Sequence, residues 1–82
     1  MAIDRKLKRI LEERFPPPDK VELRDKDRII GVITSRRFRR MDSLQRQTLI
    51  DSILEADLTL EERRHVLFIV GVTPEEAIAH TE

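Results

Sequence analysis

The chain of 82 residues sets sixteen Lys/Arg against sixteen Asp/Glu, so its formal charge is zero and a wholesale polycationic coat for DNA is excluded. It holds no Cys, which excludes disulfides, thiolate metal ligands and a Cys nucleophile, and no Trp or Tyr and only three Phe, which argues against a broad aromatic platform for stacked bases. Hydrophobic and charged residues each make up 39%, the balance of a single small folded domain over residues 1–82, with a core that removes about 60–65% of the unfolded surface from water.

Ile3, Leu7, Ile10, Leu11 and Phe15 recur at helical spacing and predict an amphipathic first helix. Pro16-Pro17-Pro18 must end it, because proline lacks the amide donor and restricts its predecessor. The period then changes to two. Val21 and Leu23 alternate with Glu22 and Arg24, Asp25-Lys26-Asp27 can turn, and Ile29 to Thr34 reads as the returning strand of a hairpin. Asp42 and Gln45 have the spacing of a capping box that opens a second helix, whose apolar face is assigned to Leu44, Ile50, Ile53, Leu54 and Leu58. Thr59 to Glu62 repeats the capping pattern and predicts one or two further helical turns. The five apolar residues from Val66 to Val70, bounded by Gly71, fit a buried central strand. Thr73-Pro74-Glu75-Glu76 starts a last helix, with a cap, proline at the first position and acids in the first turn.

The expected fold is α+β: two layers in the order α-β-β-α-β-α, a three-stranded mixed sheet with the helices on one face. The longest apolar run, Val66 to Val72, is too short to cross a bilayer, and the charged residues from Asp4 to Arg9 occupy the place of a signal peptide's apolar stretch. A cytoplasmic protein that is monomeric when alone is expected.

Arg36, Arg37, Arg39 and Arg40 surround Phe38 just ahead of the second helix, and Arg46 lies one turn into it. Free amides and the helix dipole make such a corner attractive to anions, either a nucleic-acid phosphate backbone or an acidic protein face. Residues 1–40 carry 13 basic and 7 acidic side chains, whereas residues 41–82 carry 3 and 9, so the two halves have net charges of +6 and −6. Phe38 is expected to anchor its loop in the core. No catalytic residue is assigned: Ser35, Ser43 and Ser52 lack triad-like partners, and there is neither a dinucleotide fingerprint nor the GXXG loop with which KH domains grip single strands.

Two stretches carry a family resemblance. Ser35-Arg36-Arg37-Phe38 is followed by Met41, Leu44, Arg46, Gln47 and Ile50. His65, the apolar Val66 to Val70 and Thr73-Pro74-Glu75-Glu76 then follow in order, with His65 nine residues before Pro74. In this order and spacing the chain resembles the BolA-like family. The resemblance implies a class II KH-like fold and a non-enzymatic adaptor or regulatory role in iron homeostasis and stress response. The implied partner is a monothiol glutaredoxin, with which such proteins share a [2Fe–2S] cluster or associate without one. His65 is the implied metal ligand; no cofactor is intrinsic. DNA or RNA, contacted through Arg36, Arg37, Arg39, Arg40 and Arg46, is the alternative partner, and a metal-free interaction domain the third reading. The chain departs from the family pattern in the Arg24–Arg28 loop, which has neither Cys nor His, in Arg39-Arg40 after the Phe, and in Ala77 where Trp is common.

Overall fold

The computed structural model describes residues 2–25 and 27–80, with the side chains of Ala2, Ala79 and His80 outside the description. Helix α1 (Ala2–Arg14) leads through the proline turn to a hairpin of β1 (Lys20–Asp25) and β2 (Ile29–Thr34). A 3-10 turn, η1 (Arg36–Arg40), precedes α2 (Ser43–Asp57) and the single turn α3 (Leu60–Arg63). Strand β3 (Val66–Val72) and helix α4 (Pro74–His80) complete the order. No helix among the described residues is long and apolar enough to cross a membrane.

Side chains place most of the boundaries. Asp42 accepts the Gln45 amide at 2.8 Å while Gln45 Oε1 accepts the Asp42 amide at 3.0 Å. Thr59 and Glu62 exchange the same pair of bonds at 3.1 and 2.9 Å. Thr73 and Glu76 form a third box at 3.1 and 2.7 Å. Each box satisfies first-turn amides that the helix itself cannot. Ser35 does two tasks at the end of β2: its Oγ accepts the Arg37 amide at 3.1 Å and donates to Asp19 at 2.8 Å, which ties η1 back to the start of β1.

The sheet has the order β1-β2-β3, with β1 antiparallel and β3 parallel to β2. Helix α1 lies against β1 and α2 against β3. Val21, Ile29, Ile33 and Ile69 face these helices and meet Leu7, Leu11, Phe15, Ile50, Ile53 and Leu54 in one core. Register puts Ile30 beside Phe68 and Val32 beside Val70 on the opposite face.

Three expectations change. The β2 strand is central, and β3, which was expected to be central, is an edge strand; Phe68 is 48% exposed and Val70 38%. Its apolar run supplies both faces of a parallel pair; α2 covers the face carrying Ile69, whereas Phe68 and Val70 on the other face stay exposed. Leu44 is 75% exposed instead of core. It lies six residues before Ile50, which sets it about a third of a turn around the helix from the buried stripe. Helix α4 does not join the α1–α2 layer. Ala77 and Ile78 line a shallow recess with Lys20, Glu22 and Thr34, side chains of the sheet's other face.

Candidate functional site

The two ends of the sheet differ in character. At one end β2 runs into η1 and the arginines; at the other, His65 enters β3 beside the β1–β2 turn.

Phe38 is the hub of the first end. Fully buried, it packs on Phe15 with ring centroids 5.6 Å apart and planes inclined by 31°. Gly71 lies directly against its ring: a Cβ built there would sit 2.7 Å from Phe38 Cζ. The expected anchoring of the loop by Phe38 is what the structure has.

The five arginines divide into two groups. Arg46 is a clamp. Its guanidinium donates to the Met41 carbonyl at 2.9 Å, the Phe38 carbonyl at 2.8 Å, the Gly71 carbonyl at 3.2 Å and Glu76 Oε1 at 2.7 Å. One side chain thus ties the η1 exit, the end of β3 and the start of α4 together. Arg39 makes a two-bond fork to Glu75, and Arg37 donates to the Arg14 carbonyl at 3.0 Å with its guanidinium 4.8 Å from the Phe15 ring centre. Arg36 and Arg40 are exposed and have no side-chain partner among the described residues. The anion-attracting corner read from five arginines therefore comes down to two uncommitted ones. Glu75 and Glu76, assigned from sequence only to the dipole of α4, are the partners that take up Arg39 and Arg46. Asp19 was likewise not singled out.

Three carboxyl groups are shifted by their ion pairs, two in this network and one, Glu62, outside it. The Arg46 hydrogen bond, reinforced by the Thr73 amide, holds Glu76 below the ordinary carboxylate range. Arg39 does the same for Glu75, and Lys6 with the Thr59 amide for Glu62. A carboxyl pKa lowered by folding stabilises the fold fully above the unfolded value and loses that contribution as pH falls through it toward the folded value. Thermal melts are therefore expected to hold level down to about pH 5 and to drop below it, with Glu76→Gln removing part of the drop. A melting temperature level to about pH 3 would contradict the assignment.

At the opposite end, the amide of Ile29 donates to the His65 carbonyl at 2.7 Å and the His65 amide donates to the Glu62 carbonyl at 3.1 Å. These bonds fix the backbone of His65 next to the hairpin turn. Its imidazole is partly exposed and makes no hydrogen bond to any described residue. The neighbouring turn offers Asp25 and Asp27 and no Cys or His. Beside it, a groove between α2 and β3 is lined by Asp51, Glu55, Arg63 and Leu67, and the Nε of Arg63 is buried with no hydrogen-bond partner among the described residues.

No family model, curated protein or solved structure matches the chain. Among the described residues no group of three or more His, Cys, Asp or Glu is gathered in a way that could hold a metal ion. One imidazole at the mouth of β3 is thus a single donor, which can bind soft or borderline metal only when the other ligands come from another molecule.

Proposed function

We propose that the chain is a non-enzymatic adaptor of the BolA-like, class II KH-like kind, associating with a monothiol glutaredoxin in the handling of iron–sulfur clusters or iron. The observation that carries this reading is the partly exposed imidazole of His65, which has no hydrogen-bond partner among the described residues and is held at the sheet end by two backbone bonds. The order of His65, the apolar strand and the Thr73–Glu76 cap supports it as well, since these stand at the positions the resemblance requires.

A [2Fe–2S] cluster does not fit this chain alone, because the Arg24–Arg28 loop provides no thiolate or second imidazole. The cluster is then cargo of the partner, and this chain contributes one nitrogen and a docking surface. A cluster-loaded monothiol glutaredoxin, mixed with the chain and followed by visible absorption and circular dichroism, tests the proposal. A changed spectrum that reverts with His65→Ala is expected. A spectrum identical to that of the glutaredoxin alone, or a change that His65→Ala leaves intact, overturns the role given to His65.

A further inference from the structure

We propose a second docking surface at the opposite end of the sheet, on the outer side of η1 and α2, for an acidic amphipathic segment of a partner protein. It does not depend on the role of His65. Leu44, 75% exposed, forms its floor together with the partly exposed Met41 and Leu49. Arg37 and Arg40 flank this floor, and the remaining lining side chains are neutral polar groups of α2. No carboxylate lines it, although residues 41–82 carry a net charge of −6. Two guanidinium groups beside exposed aliphatic surface are complementary to a segment that presents carboxylates next to bulky apolar side chains.

The same features favour a protein segment over a polynucleotide. Phe15 and Phe38, the rings that flank Arg37 in space and sequence, are 1% and 0% exposed, so this surface offers no aromatic face to a base. A phosphate chain has no use for Leu44, whereas an apolar side chain removed from water over it does. Arg40 has no partner among the described residues, so binding breaks no ion pair there. Arg37 is held in place over the Phe15 ring, which lowers the entropy lost on binding.

The surface begins after Thr34, and His65 meets Ile29, at the two ends of β2. A six-residue strand separates them by roughly 17–20 Å, enough for two partners to be engaged at once.

The probe is a synthetic peptide of about 15 residues with Leu at helical spacing and Asp/Glu elsewhere, long enough to form a helix on binding. Its controls are a scrambled isomer, a version with Lys in place of the acids, and oligothymidylate. Amide resonances of the labelled chain report the contact. Saturable shifts confined to Arg37–Ser52 and weakened by salt are expected for the acidic amphipathic peptide alone. Arg40→Glu and Leu44→Asp, both at exposed positions, should each weaken binding about tenfold or more while leaving the far-ultraviolet spectrum unchanged. His65→Ala should leave peptide binding unchanged, which separates this surface from the glutaredoxin reading. Absence of saturable shifts, equal binding of the scrambled or Lys peptide, or saturation of the same resonances by oligothymidylate in place of the peptide would overturn the proposal.

Discussion

Truncation of Phe38 to alanine is expected to lower the unfolding free energy by about 3–5 kcal/mol, a large part of what a domain of this size possesses. The ring is fully buried, rests on Phe15, and fills the space that the missing side chain of Gly71 leaves open. Removing it leaves a cavity between η1, α1 and β3 that rigid strand backbone cannot close. The reciprocal change has the opposite geometry. A methyl group at position 71 would stand 2.7–2.9 Å from three atoms of the ring, so Gly71→Ala is expected to cost about 1–3 kcal/mol through overpacking. The two effects share one space. The Phe38→Ala, Gly71→Ala double variant should therefore be more stable than the sum of the single losses implies. Urea unfolding followed by circular dichroism measures all three, since the chain has no Trp. Additive losses, or a Phe38→Ala cost below about 1 kcal/mol, would show that the ring does not occupy this position.

Replacing Arg46 by methionine is the second large effect, about 2–4 kcal/mol. Methionine can fill the space of the aliphatic stem, but the carbonyls of Phe38, Met41 and Gly71 lose a charged donor in a partly buried setting, and Glu76 loses its cation. Arg46→Lys should recover little, because an ammonium cannot span the partners that the planar guanidinium reaches. Arg40→Met, at a position without partners among the described residues, should stay within about 0.5 kcal/mol of the parent. The contrast between positions 40 and 46 checks the division of the basic cluster. Similar stabilities for Arg46→Met and Arg40→Met would refute it.

Local chemistry made much of this fold readable. Asp42 with Gln45, Thr59 with Glu62, and the Thr73-Pro74-Glu75-Glu76 run announce helix starts, because each motif completes its bonds within four residues. The change from helical spacing to alternation at Val21 exposes the hairpin for the same reason. The inward anchor at Phe38 was legible from a lone aromatic amid charges. What escaped was long-range. Arg39 and Glu75 are 36 residues apart and Arg46 and Glu76 30, so no window of sequence distinguishes these arginines from Arg40. The apolar run at Val66–Val70 was ambiguous in a different way. A parallel strand with two apolar faces reads alike whether it is central or at an edge. Only the pairing of β2 with both neighbours decides it. Leu44 misled because a hydrophobic residue near a helix start was counted with the core although its angle points elsewhere.

At the candidate site, the spacing from His65 to Glu76 was visible in the sequence, while the freedom of the imidazole was not. That freedom depends on the backbone bonds from Ile29 and to Glu62, which hold the residue without using its ring. The adaptor role is tested most directly by titrating a monothiol glutaredoxin into the nitrogen-15-labelled chain and mapping the amide resonances that move. The expected changes cluster at residues 65–69 and at the neighbouring hairpin residues 24–29, and they weaken with His65→Ala. No change at saturating partner, or changes confined to Arg36–Arg46, would contradict it.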